Sequence, residues 1–155
     1  MESTDLHQAL ARLTARIGGR ALDAALQDWL NAECGGASDV YAELRACCEA
    51  GVAAGWLCQR EAGGIRYGRV FPANEALQGF SVDVVEMRDV VGPHHAHPNG
   101  EIDLIMPLDA NARFDGHGAG WLVYGPGSEH PPTVAGGAAL VLYLLPGGAI
   151  TFTRT

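Results

Sequence analysis

The chain contains no lysine. All ten of its basic residues are arginines, against eighteen acidic residues, and the formal charge over 155 residues is −8. Without lysine there is no Schiff-base amine and no P-loop cation. The acidic balance argues against nucleic acid as a partner. Also missing is any apolar run near the roughly 20 residues that span a bilayer. The start Met1-Glu2-Ser3-Thr4-Asp5 is acidic, unlike a secretory signal. No membrane partner and a cytoplasmic location are the resulting expectations. Cysteine pairs with CxxC spacing are absent too: Cys34, Cys47, Cys48 and Cys58 read as small buried residues of helices, without a structural disulfide.

What is present falls into two parts. From Leu6 to Leu30 the apolar positions recur three to five apart, which is helical spacing, and Gly18-Gly19 divides the run into two helices. Gly35-Gly36 ends the second, and Ser38 is the expected N-cap of a third over 39–60. Residues 1–62 form an N-terminal helical segment on this reading, either a cap or a dimer surface. Beyond Gly63-Gly64 the pattern changes to short β-rich runs separated by Gly, Pro, Asn and Asp. Strands are predicted over 65–71, 80–90, 101–108, 112–114, 120–124, 138–145 and 149–153. The fold class is therefore α+β, helices followed by a small antiparallel β-barrel over 63–155, the two parts packing as one unit.

The chemistry is concentrated in His94-His95-Ala96-His97-Pro98-Asn99-Gly100-Glu101. Alternation in an extended segment points His95 and His97 the same way, and the turn Pro98-Asn99-Gly100 can bring Glu101 beside them. His130, after Pro126-Gly127-Ser128-Glu129, can add a third imidazole from a neighbouring strand. Three imidazoles and a carboxylate suit a divalent transition metal such as Fe, Mn, Zn or Ni. His94 faces the other way and is placed outside the ligand set. Asp103 shares the inward face of Glu101 and is a candidate catalytic acid or base, an orienter of a ligand, or the partner of an inward arginine such as Arg88 or Arg113. Glu129 is a second candidate proton donor. For a carboxylate-bearing substrate Arg88 is the chosen cation among Arg66, Arg69, Arg88 and Arg113. Trp121 and Tyr124, with Phe114 and Tyr143, are candidates for an aromatic wall. His117 is expected at an exposed hairpin tip.

The segment His95 to Glu101 resembles the first cupin motif, HxHxxxE, and Gly120 to His130 is similar to the second. That resemblance implies a double-stranded β-helix with metal held by His95, His97, Glu101 and His130, and homodimerisation by analogy with small cupins. Two departures stand out: Pro126 to His130 is one residue shorter than the usual PxGxxH, and Pro107-Leu108 replaces a customary glycine. A wider similarity runs from the helices through Gly100-Glu101-Ile102-Asp103-Leu104-Ile105-Met106-Pro107, Gly120-Trp121 and Pro126-Gly127-Ser128 to Leu144-Leu145-Pro146-Gly147-Gly148. This combination resembles the 4-hydroxylaminobenzoate lyase family of nitroarene-degrading bacteria. It implies conversion of 4-hydroxylaminobenzoate, a small aromatic carboxylate, to protocatechuate with release of ammonia. The motif alone also accommodates an iron dioxygenase acting on an aromatic or thiol substrate, a cupin isomerase of a sugar or keto acid, or a non-catalytic small-molecule binder.

Overall fold

A computed structural model describes residues 1–153. Three helices come first: α1 (Ser3–Ile17), α2 (Ala24–Cys34) and α3 (Asp39–Ala54). Each has a polar start that satisfies otherwise orphaned N–H groups. Glu2 and Asp5 form a capping box on α1, Asp23 accepts from the Leu26 N–H at 2.9 Å on α2, and Ser38 accepts from the Tyr41 N–H at 3.1 Å on α3. The predicted cap at Ser38 is thus present. The third helix, however, stops at Ala54, because Gly55 adopts a left-handed conformation (φ 86°) that closes the helix C-terminus.

Ten strands follow. They are β1 (Arg60–Ala62), β2 (Ile65–Phe71), β3 (Phe80–Val91), β4 (His95–His97), β5 (Glu101–Pro107), β6 (Arg113–Phe114), β7 (Gly120–Tyr124), β8 (Ser128–His130), β9 (Thr133–Pro146) and β10 (Thr151–Phe152). β1 begins at Arg60, the expected last residue of the third helix, and its other two residues fall within the expected helical segment. It pairs with β2 through the Gly63-Gly64 turn, so the sheet begins at Arg60. β4 and β8 are too short to carry a periodic signal of their own.

Two antiparallel sheets result. The larger runs β1-β2-β3-β9-β5-β7, with β6 on β9; the smaller runs β10-β4-β8. The cupin-like architecture expected from the sequence is therefore two facing sheets rather than one continuously closed barrel.

Both faces of the larger sheet are buried, which explains the unbroken apolar run in β9. Its outer face carries Val82, Val84, Ile102, Leu104, Met106, Trp121, Leu140, Leu142 and Leu144 against the helices, sharing one core with Leu6, Leu10, Leu26, Leu30 and Leu44. Burying a side chain of this kind contributes about 1.5–3 kcal/mol. Polar contacts fix the docking. Asn31 uses both ends of its amide on the Trp121 backbone, at 2.8 and 2.9 Å, and Gln27 accepts from the Val123 N–H at 2.8 Å. Two helical amides thereby occupy the free edge of β7, which would otherwise present unpaired backbone groups. Gly120 permits the approach: a Cβ there would lie 2.6 Å from the Asn31 Oδ1.

The inner face carries different residues. Cross-strand register aligns Arg69, Asp83, Tyr143, Asp103 and Leu122 in one row. Directly opposed residues project to the same side of a sheet, so this row lines the space between the two sheets.

Candidate metal centre

β4 and β8 pair with His95 opposite His130 and His97 opposite Ser128. That register turns His95, His97 and His130 inward together, while Ala96 and Glu129 project outward. Glu101, the first residue of β5, rises from the facing sheet to meet them. Its Oε1 lies 3.5 Å from the His95 Nε2, and its Oε2 lies 3.2 Å and 3.4 Å from the Nε2 atoms of His97 and His130. The ligand atoms of all four residues lie within 4.8 Å of one another, and all four residues are buried.

The far side of each ring fixes its tautomer. Ser128 donates its hydroxyl hydrogen to the Gly125 carbonyl at 2.6 Å, so it accepts from the His97 Nδ1–H at 2.9 Å. The Pro93 carbonyl accepts from the His95 Nδ1–H at 3.2 Å, and the Asp115 carboxylate accepts from the His130 Nδ1–H at 2.6 Å. All three Nε2 atoms then direct lone pairs at one another and at Glu101. Within the cluster the His97 Nε2 and both Glu101 oxygens are buried without a hydrogen-bond partner. Acceptors facing acceptors in a dry site are costly unless a cation lies between them. The donor set therefore fits a divalent metal, and the partners on Nδ1 are of the kind that orient metal-bound imidazoles.

In the metal-free cluster a proton on His130 takes the place of the cation. Burial raises the Glu101 carboxyl, but contacts with His130, His95 and His97 outweigh it and hold the group well below its usual range. Burial opposes the charged form of His130, yet Asp115 and Glu101 prevail and push it up to about 9. Asp115 is drawn down against its burial by His130, Tyr124 and the Thr133 backbone. Asp103 goes the other way: burial first, then the neighbouring Glu101 charge, push its carboxyl well above the ordinary value.

Other predicted residues divide clearly. Asp103 is fully buried on the inner face, as expected, and neither Arg88 nor Arg113 pairs with it. Tyr124 packs at a tilt against His130 and His97, with ring centroids 4.5 and 5.4 Å away, and donates its hydroxyl to Asp115 at 2.5 Å. It braces the ligands from behind and does not line the adjoining cavity.

Besides Tyr124, which was expected in an aromatic substrate wall, three further assignments are corrected. Glu129 is exposed on the outer face of β8, near His94, because strand alternation turns it away whenever His130 points in. Arg88 is exposed and pairs with Asp109 at 3.4 Å; it shares the face of Val82 and Val84, and that face belongs to the helices. Trp121 faces the helices as well, donating its indole N–H to the Cys34 carbonyl at 2.8 Å. His94 bonds Thr153 outside the cluster, and His117 is exposed, both as expected.

A cavity of about 670 Å³ opens beside His95, between the inner face and the small sheet. Tyr143, Tyr67, Met87 and Phe152 form its walls, and Arg60 and Arg69 line it too. Tyr143 has its ring centroid 6.4 Å from that of His95. Sequence reasoning missed Asp115, Ser128 and this cavity. Asp115 sits in a left-handed turn position (φ 49°) fifteen residues from its ring partner, where no spacing rule reaches.

Among the described residues no helix is long and apolar enough to cross a membrane. Among solved structures, an RmlC-like cupin protein from Ralstonia eutropha JMP134 aligns over 60% of this chain and 62% of its own, with a TM-score of 0.46 and 13% identity. Sequence relatives are much nearer. The chain is 34% identical to a 4-hydroxylaminobenzoate lyase of Nocardioides sp. (strain LMS-CY), over 97% of this chain and 95% of the relative. It is 33% identical to a 4-hydroxylaminobenzoate lyase of Pseudomonas putida, over 89% and 88%. The family model described as PnbB, 4-hydroxylaminobenzoate lyase, matches residues 8–152, spanning the helices, both sheets and all four candidate ligands. The chain belongs to the 4-hydroxylaminobenzoate lyase family.

Proposed function

We propose that this protein is a metal-dependent lyase that converts 4-hydroxylaminobenzoate to protocatechuate with release of ammonia, in nitroaromatic degradation. The observation that carries the metal dependence is the convergence of three Nε2 lone pairs and an unpartnered carboxylate in a buried cluster. His95, His97, Glu101 and His130 would hold a divalent Fe, Mn, Zn or Ni ion. When bound, such an ion supplies Lewis acidity toward an oxygen or nitrogen substituent of the substrate and toward water.

The balance of the reaction is substrate plus water giving protocatechuate plus ammonia. The N–O bond breaks with its electron pair, and its oxygen leaves as water once protonated. A second water adds to the ring carbon beside the nitrogen-bearing one. Hydrolysis of the resulting imine releases ammonia, and tautomerisation restores the aromatic ring as a catechol. Nitrogen is reduced as carbon is oxidised, so no external oxidant enters.

The chain's own residues divide this work. Tyr143, which lines the cavity beside His95, is assigned the proton for the departing hydroxyl, a proton that a phenol carries at neutral pH. Asp103 does not line the cavity and is assigned to support Glu101 rather than to touch substrate. Its neutral form avoids a second buried charge beside that ligand.

Anaerobic assay of purified protein with 4-hydroxylaminobenzoate tests the reading, alongside elemental analysis of protein purified without added metal. Ammonia and protocatechuate should form in equal amounts without oxygen uptake. Strict dependence on dioxygen would exclude the lyase chemistry and favour an oxygenase.

A further inference from the structure

We propose that the end of the cavity away from the imidazoles is a carboxylate subsite, in which Arg69 receives the anionic group of a benzoate and Arg60 is the second cation. The substrate named is that of the lyase reading, on which this inference rests; the subsite itself stands on geometry. Register puts both arginines on the inner face at the β1–β2 edge. Arg69 lies in the row of Asp83, Tyr143 and Asp103, and Arg60 is opposite Tyr67. From β5, which carries Glu101, to β2 is three strand spacings, about 14 Å. An aromatic ring fits between the two ends, against the walls formed by Tyr67, Met87, Tyr143 and Phe152.

Arg69 is already positioned. Its Nε and Nη2 donate to Asp83 at 3.0 and 3.1 Å, and Nη2 also reaches the Gly148 carbonyl at 3.3 Å. The Nη1 side packs over Gly148, where a Cβ would come within 2.9 Å of it. Two Nη1 donors are left for a ligand, out of the five that a guanidinium carries. Arg60 makes no ion pair among the described residues. The guanidinium and carboxylate groups lining the cavity are Arg60, Arg69 and Asp83. Two cations against one anion leave this end net positive in a protein whose formal charge is −8. A fixed guanidinium beside an apolar cleft recognises a carboxylate through charge-assisted hydrogen bonds. The cavity volume is within the range of small-molecule sites.

The test is calorimetric binding of 4-aminobenzoate and of uncharged aniline to the protein as purified, with steady-state kinetics on 4-hydroxylaminobenzoate. Wild type should bind the carboxylate at least about tenfold tighter than aniline. Arg69→Met should weaken 4-aminobenzoate by about 10- to 100-fold and leave aniline unchanged, with KM rising and kcat largely held. Arg60→Met should do the same to a smaller extent. Arg88→Met, on the helix side, should change nothing. Arg69→Lys keeps the charge but not the fork and should recover part of the loss, which also serves if Arg69→Met folds poorly. Absence of carboxylate preference in wild type, equal loss for both ligands in Arg69→Met, or no effect of either arginine variant would each overturn the subsite. Binding preference without turnover would retain the subsite and remove the lyase reading; turnover indifferent to both arginines would do the reverse.

Discussion

Along β5 the two faces of the larger sheet are equally buried and chemically opposite. On β5 the residues Ile102, Leu104 and Met106 face the helices, and Glu101, Asp103 and Ile105 face the small sheet, all without solvent exposure. One strand thus supplies a hydrocarbon core on one side and two carboxyl groups on the other. Burial does not mark the functional face. Direction does, together with what the opposite layer provides: leucines from helices on one side, three imidazoles from β4 and β8 on the other.

Two substitutions of inward and outward residues should break this contrast most strongly. His97→Ala removes a ligand from the inner cluster and should abolish metal content and activity, by at least about a thousandfold in kcat/KM. Elemental analysis decides it, since an unchanged metal stoichiometry would show the ligand set to be wrong. Leu104→Ala, on the outer face of β5, should cost about 2–5 kcal/mol of stability through the cavity it leaves. Chemical denaturation measures that loss. The same variant should keep its metal and its KM, because no outward side chain of β5 reaches the cluster.

Asp115 sharpens the comparison from within the inner face, since it acts on the metal cluster through His130. Replacing it by Asn removes the charge that orients the imidazole, and metal affinity should fall about 10- to 100-fold by competition with a chelator. The same change has a signature in pH. His130 in the folded, metal-stripped protein is raised to about 9, against about 6.5 when unfolded. Its stabilisation is complete below the unfolded value and is lost as pH rises through the folded one. The melting temperature of stripped wild type should therefore decline between about pH 6.5 and 9. In Asp115→Asn that decline should flatten, and identical slopes would show that the Asp115–His130 pair contributes nothing.

The sequence revealed the parts of the site that are local along the chain. His95, His97 and Glu101 span seven positions, and strand alternation with one turn suffices to join them. Alternation also contains the correction at Glu129, since an inward His130 implies an outward neighbour. Arg88 failed for another reason. Its grouping with Val82 and Val84 was right, but each face of β3 mixes apolar with charged residues and nothing in the strand says which one meets helices. Asp115 and Ser128 act across turns, through contacts that depend on the pairing of β4 with β8. The cavity was hidden because its edge strand, Arg60–Ala62, is three residues long and too short to carry a periodic signal.

The smallest effect is expected where the two faces had been confused. Trp121 as an aromatic wall of the substrate pocket would belong to the inner face, yet its indole N–H is bonded to the Cys34 carbonyl of α2 and its ring packs in the helical core. Trp121→Phe keeps an aromatic ring and removes that donor, leaving a buried carbonyl without its partner. The cost should be about 1–2 kcal/mol in denaturation. Steady-state kinetics should show KM and kcat within about twofold of wild type, because the lost bond joins a helix to the back of the sheet. A selective rise in KM with unchanged stability would return Trp121 to the substrate side and reverse the assignment of faces on β7. That reversal would also require Leu122 to leave the row it shares with Asp103 and Tyr143. The side of the sheet on which Trp121 acts is thus tied, through one residue of register, to the placement of the whole inner row.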